Sequence, residues 1–159
     1  MFEKQKYFYI GIDLSTTNTG IVVLSNSGGL LDFKLIAPEG KNIKERAFIV
    51  SNKVKKYVRQ HRDIFTKVII EDISLHSKGK VVDLAMLLGS VYYSLKKHYE
   101  VILVPPTTLK KFYTKNGRAK KEDMINNTPE LIIKRFSEKY KKIDDLVDAY
   151  ALALYGLLN

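Results

Sequence analysis

Two periods of apolar residues run through this chain, and the switches between them mark its elements. Tyr7 to Ile12 and Gly20 to Leu24 are β-branched and aromatic runs separated by a polar turn, and Asn26-Ser27-Gly28-Gly29 leads into the alternating run Leu30 to Ile36. This pattern predicts a three-stranded antiparallel meander. From Asn42 to Arg62, the apolar positions Ile43, Ala47, Val50, Val54 and Val58 recur every three or four residues, with lysines and arginines over much of the remaining face. That spacing predicts a long amphipathic helix. Lys67 to Ile70 and Val101 to Val104 are short, dense apolar runs of the kind parallel strands use when both faces are buried, and helices before each give βαβ order.

The helix expected over Val81 to Lys97 has an uneven wheel. Asp83, Ser90, Ser94 and Lys97 fall on one narrow stripe at about 100° per residue, while Val81, Val82, Leu84, Leu87, Val91 and Leu95 are among the apolar residues around the rest. Either the helix is central and packed on several sides, or one face meets the sheet and the other a second subunit. The second reading is preferred. Pro105-Pro106 ends the fifth strand and a short helix follows. Lys110 to Lys121 then holds six basic residues and no acidic one around Asn116-Gly117, which reads as a flexible basic loop. A short helix near Glu122 to Asn126 comes next. Thr128-Pro129 supplies a cap and first position for a helix to about Lys139, and a last helix covers Asp144 to Leu157.

A chain of 159 residues, 45% hydrophobic, fits a single domain over 1–159 with one substantial core. Cysteine is absent, which excludes disulfides, zinc–thiolate sites and thiol chemistry and fits a reducing cytoplasm. The charged start, Met1 to Lys6, lacks a small-residue cleavage site. The longest apolar run, Ala149 to Leu158, is broken by Gly156 and is far shorter than the roughly 20 residues of a membrane span. A soluble, unprocessed, cytoplasmic protein without a membrane partner is expected. The net charge of +10 calls for a polyanion, most commonly nucleic acid.

Against that basic balance, four carboxylates stand out. Asp13 and Glu71 end hydrophobic strands, where ligands of parallel sheets gather. Asp145 and Asp148, three residues apart, share one helix face with Cβ atoms about 5–6 Å apart. Taken alone, Asp144 or Asp145 reads as an ordinary N-cap and each strand-end acid as a loop cap. Together the four would repel unless protonated or joined by a cation, and Mg²⁺ prefers such hard oxygen ligands. A pair of these ions about 3.5–4 Å apart suits phosphodiester cleavage. Ser15, Thr16 and Thr17 either hydrogen-bond a phosphate or simply cap the loop. Phe112 and Tyr113 are candidates for stacking on bases, and one of them equally for burial. Lys44, Lys53, Lys55, Lys56, Arg59 and Arg62 read as the solvated face of their helix.

GIDLSTTNTG, then VIIEDIS, then the basic segment, then DDLVDAYALA resembles, over the whole chain, the RuvC-type Holliday junction resolvases of the ribonuclease H-like superfamily. The compact, lysine-rich form is similar to the versions carried by bacteriophages. The resemblance implies an α/β fold with a five-stranded mixed sheet, an antiparallel meander plus parallel strands, flanked by helices. It also implies a homodimer, for which helix 81–97 is the candidate surface, working with Mg²⁺ or Mn²⁺. Its activity would be symmetric nicking of two strands of like polarity across a four-way or branched DNA junction, leaving 5′-phosphate and 3′-hydroxyl ends.

Carried over by position, the family's acidic ligands fall on Asp13, Glu71, Asp145 and Asp148, and its two functional lysines on Lys110 and Lys121, with Lys121 offsetting transition-state charge. Lys110, Lys111, Lys115, Arg118, Lys120 and Lys121 form the expected DNA-binding set. The aromatic residue that many members carry three positions after the glutamate is Ser74 here, so junction distortion falls to another group, Leu75 or His76, and Ser74 and His76 join the expected DNA contacts. The glycine often found two positions after the first aspartate is Ser15. Two other classes compete. One is a ribonuclease H-like nuclease acting on RNA/DNA hybrid or an rRNA precursor. The other is a fragment of an actin-like ATPase, whose phosphate motif GIDLSTTNTG also resembles; the only paired glycines, Gly28-Gly29, sit in a hairpin turn, and no nucleotide cofactor is expected.

Overall fold

The computed structural model describes residues 7–37, 39–62, 65–74 and 80–159. Strands β1 (Tyr7–Asp13), β2 (Thr19–Ser25) and β3 (Leu30–Ile36) form the expected meander. Helix α1 (Ile43–Gln60) leads to β4 (Phe65–Glu71), and α2 (Val81–Lys96) leads to β5 (Glu100–Val104). These two strands run parallel to β1, giving one five-stranded mixed sheet in the order β3-β2-β1-β4-β5. Four helices complete the chain: α3 (Pro106–Thr114), α4 (Lys121–Asn126), α5 (Glu130–Lys139) and α6 (Asp144–Leu158).

The alternation of strand side chains divides the core into two layers. Ile10, Ile12, Ile21, Val23, Val68 and Ile70 point toward α1 and α2. Val22, Leu24, Ile69 and Val104 point the other way, toward the layer that holds α3 to α6. The period-two rule therefore sends Gly11 and Asp13 of β1, and Glu71 of β4, to the α6 side. At the free edge, Arg135 Nη1 donates to the Leu30 carbonyl at 2.9 Å and the Leu35 N–H donates to Tyr140 Oη at 3.3 Å, so α5 and the residue that follows it occupy groups that would otherwise recruit another strand.

Helix α6 lies against the sheet far more closely than an ordinary apolar helix. A Cβ on Gly11 would stand 1.9 Å from the Ala149 carbonyl oxygen, and one on Gly20 would stand 2.2 Å from that of Asp145. Helix backbone therefore rests directly on strand backbone. Gly20 is also the cross-strand partner of Asp13, so this contact sets the first turn of α6 over the end of β1.

Two expectations need correction, those for segment 110–121 and for Thr128. The segment 110–121 is not a flexible loop: Lys110 and Lys111 belong to α3 and Lys121 opens α4, with only a short turn between. Leu109 and Tyr113, four residues apart, bury one face of α3, Pro106 favours its first turn, and Lys115 reverses the chain at φ 65°. Tyr113, being buried, is not available to stack on bases; its hydroxyl lies 2.8 Å from Thr128 Oγ1. Thr128 does not cap α5 with its side chain, because its hydroxyl donates to the Met124 carbonyl at 2.9 Å and the cap position falls on Pro129. On α2, Ser90 turns toward α1, donating to the Ala47 carbonyl at 3.4 Å and accepting at its own carbonyl from Ser51 Oγ at 3.2 Å.

Candidate active site

Four carboxylates converge because three elements deliver them to one place. Asp13 and Glu71 follow Ile12 and Ile70, which are register partners in the parallel β1–β4 pair, so the two acids leave adjacent strands side by side on the α6 face. Asp145 and Asp148 come from the first turns of α6, pressed onto β2 and β1 by the glycine contacts. All four line a single cleft of about 280 Å³, together with Lys80 and Lys121. Leu14, Ser15, Thr16 and Leu84 complete its wall. A larger groove of about 480 Å³ lies between β3 and α1, but Lys34, Lys53, Lys56 and Tyr57 line it and none of the four acids does.

The acids are crowded, two of them buried and two half-buried. Asp13 and Asp145 are 6% and 9% exposed, and Asp145 Oδ2 is buried with no hydrogen-bond partner. Burial raises the Asp13 carboxyl well above its usual range, and repulsion from Glu71, Asp148 and Asp145 pushes it further in the same direction. Glu71 is raised to about 7, chiefly by burial and then by Asp148, with Lys110 pulling the other way. Asp148 is raised to about 6 by burial and by Asp145, against Lys110 and Lys121. Asp145 is raised by burial and by Asp144. A cluster that holds protons this tightly, with an orphaned buried oxygen, is chemically matched to a divalent cation, which would satisfy the oxygen and neutralise the repulsion. Among the described residues, no three or more His, Asp or Glu side chains stand close enough together to hold a metal ion as they are placed.

The basic residues separate into two groups. Lys121 lines the cleft, and its Nζ lies 2.5 Å from Asp144 Oδ2. Lys110 acts on Glu71 and Asp148 from α3. By contrast, Lys111, Lys115, Arg118 and Lys120 are exposed and do not line the cleft. They form a basic rim on α3 and the turn leading into α4.

Ser74 lies just beyond β4, half-buried, outside the cleft wall. Leu75 and His76 fall outside the described residues. Phe112 is half-buried with its ring edge-on to Tyr155 at 5.2 Å. Neither Asp144 nor Asp145 is an N-cap: Ile143 holds that position and the two aspartates open the helix. Three lining residues were not marked for the site by the sequence: Leu14, which follows Asp13, together with Lys80 and Leu84. Lys80 precedes α2 and Leu84 lies one turn on, a pair whose spacing already put them on one side of that helix.

The family described as crossover junction endodeoxyribonuclease RuvC matches residues 9–155. Among solved structures, Thermus thermophilus RuvC superposes with a TM-score of 0.68 at 19% identity, covering 92% of this chain and 91% of that one. T. thermophilus RuvC in complex with a Holliday junction substrate gives 0.68 at 19% identity, covering 95% of both chains. The yeast mitochondrial Holliday junction resolvase Ydc2 gives 0.61 at 13% identity, over 93% of this chain and 76% of that one. A ROK family transcriptional regulator, a homologue of the E. coli MLC protein, is matched over 69% of this chain but only 30% of its own, at a TM-score of 0.52 and 13% identity. Among curated proteins, none matches in sequence. At these identities the structural likenesses speak for the fold, and the family match speaks for descent.

Proposed function

Since the chain belongs to the RuvC family of crossover junction endodeoxyribonucleases, we propose that it resolves four-way or branched DNA junctions by divalent-metal-dependent hydrolysis, with Asp13, Glu71, Asp145 and Asp148 as the metal ligands and Mg²⁺ as the natural ion. The observation that carries this reading is the convergence of the four acids in one lysine-walled cleft, with Asp145 Oδ2 left unpartnered.

The chain's own residues divide the work by position. The rim of Lys111, Lys115, Arg118 and Lys120 draws the DNA backbone toward the cleft, an attraction that weakens steeply as salt rises. Lys110 and Lys121 meet the scissile phosphate from the α3–α4 side and offset charge that grows on its oxygens during in-line attack, a contribution typically of about 3–4 kcal/mol per well-placed donor. Lys80 faces the same cleft and adds a third cation. The four carboxylates hold their oxygens on rigid elements, two strand ends and a helix start, so ligand geometry costs little reorganisation. The four carboxylates would hold a divalent ion or a pair of them, which would supply Lewis acidity for water activation and for the 3′-oxygen leaving group. The products are a 5′-phosphate and a 3′-hydroxyl.

A symmetric cut needs two such sites, and α2 offers a surface for pairing. Val82 and Tyr93 are 75% and 72% exposed, and Met86 lies between them on the same face with the exposed Ala85. We assign this stripe to a homodimer contact, which leaves the cleft facing DNA.

The test is a substrate panel: four-way junction, flap, linear duplex and RNA/DNA hybrid, each with Mg²⁺ or Mn²⁺. Preferential cleavage of the junction, lost in Asp13→Asn while junction binding persists, is the expected outcome. Preferential cleavage of the hybrid would instead favour a ribonuclease H-type activity.

A further inference from the structure

Lys121 has a partner that belongs to none of the four ligands. Its ammonium lies 2.5 Å from Asp144 Oδ2, and Lys142 Nζ approaches the same oxygen at 3.8 Å. The Asp144 side chain is only 12% exposed, whereas that of Lys121 is 71% exposed. Lys121 lines the acid cleft and Asp144 does not. The aspartate therefore grips the lysine from outside the wall.

The arrangement answers a physical problem. A long, flexible ammonium next to four crowded carboxylates is drawn onto them, since opposite charges at contact in a partly dry site attract strongly. A lysine that settled there would occupy the position a divalent cation needs. Asp144 also precedes Asp145 directly, so one helix start fixes both the tether and a proposed metal ligand. Resting on the metal-site reading above, we propose that Asp144 is a positioning residue that holds Lys121 off the metal ligands and in place for the incoming phosphate.

The idea separates from a simple effect of one more negative charge near the metal. If Asp144 merely attracts cations, removing it weakens metal binding whether or not Lys121 is present. If it restrains Lys121, the loss disappears when Lys121 is removed as well. The experiment is calorimetric titration of the full chain with Mn²⁺, beside steady-state cleavage of a synthetic junction, for wild type, Asp144→Asn, Asp144→Glu, Lys121→Ala and the Asp144→Asn/Lys121→Ala double variant.

Asp144→Asn is expected to bind Mn²⁺ about tenfold more weakly, the scale on which partners of ligating groups act, and to lose kcat with little change in KM. The double variant should regain wild-type Mn²⁺ affinity, Lys121→Ala alone should bind at least as tightly as wild type, and Asp144→Glu should recover most of the cleavage rate. Unchanged Mn²⁺ binding in Asp144→Asn, or a double variant as weak as the single one, overturns the proposal. Should Asp144→Asn fail to fold, weakened Mn²⁺ binding by Lys121→Ala would overturn it equally. Wild type that neither binds Mn²⁺ nor cuts the junction would fail the metal-site reading itself, a result distinct from any of these.

Discussion

Replacing Asp148 by asparagine should make the metal-free protein more stable while removing its activity. The carboxyl of Asp148 is raised from 3.8 to about 6, first by burial and then by Asp145. The folded state therefore binds more protons than the unfolded chain between about pH 4 and 6, and stability falls as pH rises through that window. Above it the carboxylate is ionised at a cost. A shift of about two units corresponds to a ceiling of about 3 kcal/mol at 1.36 kcal/mol per unit. Because Asp148 is only half-buried and shares its repulsion with the other acids, about 1–2 kcal/mol is the realistic relief.

Asparagine keeps the shape and removes the charge, so the variant should melt about 2–8 °C higher for a domain of this size. The assay is calorimetric or fluorescence melting in chelator at about pH 7.5, repeated at about pH 5, where the wild-type group is protonated and the gap should close. Saturating Mg²⁺ should raise the wild-type melting temperature more than that of the variant. A variant that melts at or below wild type at neutral pH, or a gap that widens on acidification, would refute the reasoning.

Other consequences of the same geometry are open to measurement. With Glu71 at about 7 and Asp148 at about 6, protons compete with the metal, so the cleavage rate should climb between about pH 5 and 7 and that limb should move to lower pH as divalent concentration rises. A limb that ignores metal concentration would count against the shared site. Gly20→Ala should cost about 1–3 kcal/mol in denaturant titration and also cut activity, because its Cβ meets the Asp145 carbonyl and must lift the start of α6; full activity in a stable Gly20→Ala protein would show that the close approach is dispensable. Tyr93→Asp places a charge on the exposed face of α2 and should give a monomer by sedimentation velocity, with symmetric cutting lost. Lys121→Ala should lower kcat by about 100-fold with junction affinity nearly intact, the expected cost of removing one transition-state charge partner.

Much of this site was readable in strand parity. In YIGID and KVIIE, alternation around buried isoleucines already sends Asp13 and Glu71 to one face, and three-residue spacing aligns Asp145 with Asp148. The runs around them predicted the meander and the βαβ units, while the strand order β3-β2-β1-β4-β5 is seen only in the folded chain. What stayed hidden depends on contacts between distant residues. The 110–121 segment is rich in lysine around Asn-Gly, and only the burial of Leu109 and Tyr113 against α6 and α4 turns half of it into helix. Thr128 looked like a cap because Thr-Pro usually is one, yet Tyr113 claims its hydroxyl. The need for glycine at positions 11 and 20 shows only once α6 is laid across them. Asp144 read only as a helix cap and Lys80 was not singled out, because their significance lies in facing Lys121 and the cleft across long sequence separations.

The most direct test of the central claim is strand-by-strand mapping of cuts in a four-way junction, with each of its four strands labelled in turn and the purified protein supplied with Mg²⁺. The account predicts paired nicks at symmetry-related positions in two strands of like polarity, resealable by DNA ligase and absent with Asp13→Asn. Intact junction under conditions where the protein binds it with metal present, or cuts confined to the RNA strand of a hybrid, would contradict it.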